Sequence, residues 1–194
     1  MLDATLPPFE PRRNEMDERP KTTPYSVTTG LEARERIEII LRQTQIGTLG
    51  LSNRNLPYVV PMNHLYLPGH LIFHGPLSTG KKMEMIDKNP VGCYTVMRSI
   101  EEPKPDMLSC HVDYESVICS GRIFNVDSAE ERVELIQKWR AHYQTKPRRP
   151  AEDAARTTGF LKFVIEEMTL RSGTFHPSGP RPLFIYKFTQ TTEC

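Results

Sequence analysis

Residues 71–83 read Leu-Ile-Phe-His-Gly-Pro-Leu-Ser-Thr-Gly-Lys-Lys-Met, and no other stretch brings so many reactive types together. An apolar run ends at His74, a loop of small residues follows, and a helix is predicted from Gly80. Lys81 and Lys82 fall in its first turn. There the positive end of the helix macrodipole disfavours each cation by about 0.3–1 kcal/mol. An anion docked on the free N–H groups reverses the sign of that effect. Phosphate suits the place, with Ser78, Thr79 and the loop amides after Gly75 as donors and the lysines as counter-charge. A solvated turn with two surface lysines is the plain alternative.

Positions 75–82 also spell G-x-x-x-x-G-K-K. The phosphate loop of nucleotide hydrolases ends in Ser or Thr, which holds magnesium, whereas here the position is Lys82. Pro76 removes one amide, and the neighbouring hairpins lack the parallel βαβ setting that such a loop needs. Nucleotide hydrolysis is not expected. His64, His70 and His74 invite a metal reading, but His70 and His74 lie about 13 Å apart on an extended strand. No Cys or carboxylate partner has suitable spacing, so no metal site is expected. Cys110 and His111 are adjacent and point to opposite faces of a strand, which separates the thiol from the imidazole.

The elements that position these residues are legible. Five strand-like runs, at 46–51, 57–67, 70–74, 91–98 and 112–126, are bounded by Gly, Pro or Asn. Asn53-Arg54-Asn55 and Pro68-Gly69 have turn chemistry. A capping box at Thr29 to Glu32 starts a helix with Leu31, Ile37, Ile40 and Leu41 on one face. Short and long helices are predicted over 80–88 and 129–143, the second capped by Ser128 with Glu131 answering it. Residues 160–171 and 182–188 read as late strands. Consecutive strands with tight turns favour a mainly β chain, an antiparallel sheet or barrel with a few helices outside.

Lys and Arg number 25 against 24 Asp and Glu, a net charge of +1, so no basic surplus points to nucleic acid or to an anionic membrane. No run approaches the roughly 18 apolar residues that span a bilayer. With no secretory signal visible and four dispersed cysteines, the chain reads as cytoplasmic with reduced thiols. Cys93 and Cys119 sit in apolar runs and are expected in the core. Pro7, Pro8, Pro11, Pro20 and Pro24 mark residues 1–28 as an extended arm. The main domain is then 29–172, followed by an extension over 173–194 whose apolar stretch 183–188 is expected to form an extra strand or a strap. Lys146-Pro147-Arg148-Arg149-Pro150 reads as a solvated basic loop.

Several short pieces follow one another in a telling order: Pro57 to Asn63, Leu71 to His74, Gly80-Lys81-Lys82, Asn89-Pro90-Val91, Tyr114-Glu115-Ser116-Val117 and Gly121-Arg122. Together they resemble the flavin-mononucleotide-binding split-barrel superfamily, in the branch of the nitroimidazole-resistance proteins related to pyridoxamine 5′-phosphate oxidase. The similarity spans about residues 34–171. It implies a six-stranded, Greek-key-like antiparallel split β-barrel, a homodimer, and flavin mononucleotide (FMN) at the subunit interface. It implies that Val60, Pro61, Met62 and Asn63 run beside the flavin ring system. His74, Gly75, Ser78, Thr79, Gly80, Lys81 and Lys82 would then handle the phosphate, and Tyr114, Ser116 and Val117 would complete the pocket. In the nitroimidazole reductases the histidine at the position of His74 is associated with catalysis.

The implied activity is flavin-dependent oxidation or reduction of a small molecule. A non-catalytic barrel that stores or senses flavin, or that binds haem, is the alternative. His74 is then either a proton donor to substrate or a hydrogen-bond donor to phosphate or backbone. Three departures from the family pattern bear on substrate: Gly75-Pro76 in a longer loop, Glu115 in place of an arginine, and Leu170-Arg171-Ser172-Gly173 closing the last strand.

Overall fold

The computed structural model describes residues 31–76, 80–99, 114–173 and 188–189. Helix α1 (Leu31–Gln43) places Ile37, Ile40 and Leu41 at helical spacing, and all three are buried. Strands β1 (Ile46–Asn53) and β2 (Leu56–Asn63) form a hairpin whose loop residues Arg54 and Asn55 have φ of 49° and 64°. Two successive left-handed residues belong to the type I′ turn, whose twist matches paired strands. β3 (Leu65–Leu67) and β4 (His70–Pro76) are joined by Pro68 and Gly69, and Gly69 supplies a φ of 78°. Then come α2 (Lys81–Lys88), β5 (Val91–Ser99), β6 (Tyr114–Asn125), α3 (Ala129–Tyr143), α4 (Ala151–Ala155), β7 (Thr158–Gly173) and β8 (Phe188–Thr189). Ser128 caps α3 as expected, its hydroxyl accepting the Glu131 N–H at 3.2 Å. The short α4 has no counterpart in the sequence reading. The proposed arm, most of the late strand at 182–188, Cys110 and Cys194 lie outside the described residues.

Every ladder is antiparallel, in the order β2-β1-β5-β6-β7-β4-β3, with β8 added to β7. The two ends of that order, β2 and β3, are neighbours in the chain with only His64 between them. The sheet therefore curls until its edges meet at one corner. Six strands are expected, and seven plus the short β8 are observed. The difference lies at residues 57–67, one run in sequence: the chain turns at His64, so β2 pairs with β1 and β3 pairs with β4. Away from this corner the edges part. β3 covers only the first half of β4, and residues 73–76 pair with β7 alone.

The inward face carries one core, with Leu49, Tyr94, Val117, Phe163 and Leu170 at most 1% exposed. α1 packs against it, and α2 adds Met85 and Ile86. A second apolar cluster lies outside the sheet, where Leu65, Ile72 and Phe160 meet Leu135, Ile136 and the alanines of α4. β4 is thus buried on both faces, which explains its unbroken Leu71-Ile72-Phe73. On the outer face of β2, β1, β5 and β6, Ile46, Val59, Met97 and Ile118 are exposed. Cys93, expected in the core, is exposed on this same face, whereas Cys119 is fully buried and its thiol is pushed up to about 12.

Two buried polar residues hold the frame. His64, 0% exposed, has Nε2 2.8 Å from the Leu41 carbonyl and Nδ1 2.9 Å from the Tyr94 hydroxyl. A carbonyl only accepts, so Nε2 carries the proton. The single proton of the Tyr94 hydroxyl is shared between His64 Nδ1 and the Met62 carbonyl, 2.8 Å away, and Tyr143 donates to the His64 carbonyl at 2.7 Å. A Cβ at Gly47 would lie 2.5 Å from the Tyr94 ring, so the ring passes only over glycine. Burial lowers the His64 imidazole to about 4, against the opposing pull of the Leu41 carbonyl. Glu115, 1% exposed, pairs with Arg36 of α1 and with Arg98 of β5 at 2.7 Å, and Arg98 also donates to Gln43. The acidic departure at this position is a clamp between helix and sheet.

Candidate functional site

Where β4 loses its β3 partner, a cleft of about 500 Å³ opens. One wall is Tyr58 and Val60 of β2, and another is His74 and Gly75 of β4. The start of α2 (Gly80 to Met83), the β6–α3 connection (Asn125 to Asp127) and Gly159 to Leu161 of β7 complete it. The site exists because a three-residue strand lies beside a seven-residue one.

Lys82 is the central charge. Its ammonium is half-buried, with a weak contact to the Met62 thioether at 3.9 Å, and it passes 3.8 Å from where a Gly75 Cβ would stand. Among the described residues no carboxylate pairs with it. Burial lowers its pKa, the expected effect on a cation removed from water without a partner. Lys81 is exposed. The extended residue Gly80 begins α2 with no side-chain cap, so among the described residues no side chain takes the first N–H groups of the helix beside Lys82. Partial burial and the Lys82 charge also lower the pKa of His74, which keeps its imidazole neutral at neutral pH. The His74 ring lies 4.2 Å, centroid to centroid, from Trp139 of α3.

The residues singled out from sequence separate into groups. Val60, His74, Gly75, Gly80, Lys81 and Lys82 come together in the cleft, and Met62 lies under Lys82. Pro61 and Asn63 face the opposite way from Val60 and Met62 and are exposed on the bare outer face of the sheet. Tyr114 and Ser116 share that face, near the far end of β6, with the Arg171 guanidinium 5.8 Å from the Tyr114 ring centre. Val117 is in the core. From Ser116 to Asn125, where β6 reaches the cleft, is about 30 Å along the strand. Ser78 and Thr79 lie outside the described residues.

Tyr58, Asn125, Asp127 and Arg132, which no sequence motif marked, also line the cleft. Arg132 donates to the carbonyls of Val126, Asp127 and Ala155, which fixes the cleft wall to α4. Only its place four residues after the Ser128 cap hinted at this. Among the described residues no group of three or more His, Cys, Asp or Glu side chains could hold a metal ion. No helix among them is long and apolar enough to cross a membrane.

Fold and cleft define a class: a curled antiparallel sheet, flanked by helices, with a cation set at the mouth of its split. Residues 33–172 match the family described as pyridoxamine 5′-phosphate oxidase, and the chain belongs to that family. No curated protein matches the chain. A candidate 5-nitroimidazole antibiotic resistance protein from Bacteroides thetaiotaomicron is 26% identical, with a TM-score of 0.61 over 72% of this chain and 84% of that one. A FAD-binding protein from Mesorhizobium loti is 22% identical, with a TM-score of 0.53 over 74% and 94%. A flavocytochrome from Azotobacter vinelandii is 16% identical, with a TM-score of 0.57 over 83% and 79%. At these identities the last two show the shared fold.

Proposed function

We propose that this protein is an FMN-dependent oxidoreductase acting on a small molecule, with the cofactor phosphate held by Lys82 and the start of α2. The observation that carries this reading is the half-buried Lys82 ammonium at the start of α2, where, among the described residues, no side chain caps the helix and only a thioether contacts the charge. A phosphate dianion there receives charge-assisted hydrogen bonds and restores the charge balance that burial disturbs. Gly75 leaves room for it, and among the described residues nothing lies within 4 Å of a Cβ at Gly80. The residues present therefore fit a flavin phosphate.

When bound, flavin supplies the redox chemistry that no side chain provides. The chain's own contribution is binding, orientation and proton handling. Lys82 fixes the phosphate end. Tyr58 and Val60 give the cleft an apolar wall that excludes water from a planar ring. His74, neutral at neutral pH, is suited to accept a proton at its unprotonated ring nitrogen and to return it.

The proposal includes a homodimer formed through the bare sheet face. Pro61, Asn63, Tyr114 and Ser116 sit on that face among exposed Ile46, Val59, Met97 and Ile118, and apolar surface of this kind is covered in oligomers. A second copy would bring its own β6 residues toward the first copy's cleft, joining two groups that one chain keeps apart. The curled sheet is then a split barrel of six strands, counting β2 and β3 as one strand bent at His64 and leaving the short β8 aside. Residues 29–172 form this domain.

Titration of FMN and riboflavin into wild type and Lys82→Ala tests the site. FMN affinity should fall by about 10- to 100-fold in the variant, the worth of one or two charge-assisted contacts. Riboflavin, lacking the phosphate, should bind both proteins alike. Equal FMN affinity in the two proteins would overturn the phosphate site. A second reading, haem binding in a non-catalytic barrel, is favoured by one observation: the neutral, solvent-accessible His74 imidazole is an available iron ligand. A Soret band in the purified protein selects haem, and a flavin spectrum selects the first reading.

A further inference from the structure

On the other side of His74, outside the curled sheet, a second cavity of about 310 Å³ lies between α3, α4 and the start of β7. Its rim holds four cations: Arg140 of α3, and Lys146, Arg148 and Arg149 of the loop that follows. Among the described residues no Asp or Glu lines it and none of the four cations forms an ion pair. Like charges drawn together without a counter-charge repel one another. Two of the four are held in place by hydrogen bonds. Arg140 donates to the Arg149 carbonyl at 2.8 Å, and Arg149 donates to the Thr157 hydroxyl at 2.7 Å. Pro147 and Pro150 restrict the loop on either side.

The inner wall is aromatic. Half-buried Trp139 has the rings of His74 and Phe160 beside it, 4.2 and 6.3 Å away between centres, and Tyr143 stacked on it at 4.9 Å. A cationic rim over an aromatic wall matches a flat molecule with a negative group, because guanidinium forks take up carboxylate or phosphate while the rings accept a planar face. The volume is within the range of small-molecule sites.

We propose that this cavity binds a planar aromatic anion, with its ring against Trp139 and Phe160 and its anionic group beneath Arg140 and the loop cations. The site is separate from the Lys82 cleft, with which it shares only His74 and Phe160 as lining residues. It stands whether or not that cleft takes a flavin.

The full chain can be titrated with 2-naphthoate while the indole N–H signal is followed by NMR, since the sequence has one tryptophan and the signal belongs to Trp139. A saturable shift is expected. The uncharged 2-naphthalenemethanol should bind about tenfold more weakly or worse, as should 2-naphthoate to the double variant Lys146→Ala/Arg148→Ala, because each loses charge-assisted contacts. Both loop residues are exposed and make no hydrogen bond among the described residues, so the variant keeps its fold, and the dispersion of its other amide signals checks this. Lys82→Ala should leave naphthoate affinity unchanged. The proposal is overturned by the absence of a saturable shift, by equal binding of the alcohol, by wild-type affinity in the double variant, or by loss of binding in Lys82→Ala.

Discussion

His64 and His74 flank the open end of the same short hairpin, one just before β3 and one on β4, and have opposite circumstances. His64 is sealed in the corner between β2 and β3, with both ring nitrogens engaged and Gly47 cleared to admit its tyrosine partner. His74 lies at the open end of β4, accessible to solvent, with aromatic neighbours and, among the described residues, no hydrogen bond to its ring. Burial lowers both pKa values, but with different consequences. At the corner a neutral imidazole is a structural requirement. At the cleft it leaves a lone pair free for chemistry. Polar groups that are fully satisfied make the frame, and those left unsatisfied make the site.

The sharpest way to break this contrast is to delete each ring. His64→Ala should cost about 3–4 kcal/mol, since it opens a cavity and leaves the Leu41 carbonyl and Tyr94 hydroxyl short of partners. Chemical denaturation of the two alanine variants measures the difference directly, and a His64→Ala cost below that of His74→Ala would reverse the assignment.

Acid offers a gentler probe. The His64 pKa is near 4 in the folded chain and 6.5 when free, so the unfolded state binds the extra proton first. Stability from this group is full above pH 6.5 and declines as the pH falls toward 4, by about 3 kcal/mol in all. His64→Gln should flatten that part of the stability profile.

Glu115→Gln should cost less, about 1–2 kcal/mol, because its arginine partners are partly exposed and regain water. Thermal melts at low and high salt would check it. His74→Ala comes last, within about 0.5 kcal/mol of wild type, as expected of an accessible side chain. Its effect should appear in flavin reduction kinetics.

The frame was legible where the signal is local. Ser128 and Glu131 announce α3, Arg54-Asn55 and Pro68-Gly69 announce their turns, and the helical spacing of Ile37, Ile40 and Leu41 survives in the core. What failed to show depends on residues distant in sequence. The bend at His64 carries no Gly or Pro of its own and is imposed by Leu41 and Tyr94. Glu115 gains meaning only from Arg36 and Arg98, the first of them 79 positions away. Cys93 sits in an apolar run, yet alternation on β5 turns it outward. The Lys82 cluster was visible because strand, loop and helix start are contiguous, whereas Asn125 and Arg132 reach the cleft from another part of the chain.

The ladder between β4 and β7 matches His70 with Val164, roughly half the chain's length apart. Loops of that size close slowly, so strands joined this way are among the later ones to pair during folding. The cleft takes walls from both strands, and it therefore has no early precursor. A chain emerging from synthesis cannot present it until β7 has been made. Any ligand held there then acts as a receipt for completed assembly, slowing unfolding by resisting the separation of the two strands that met last.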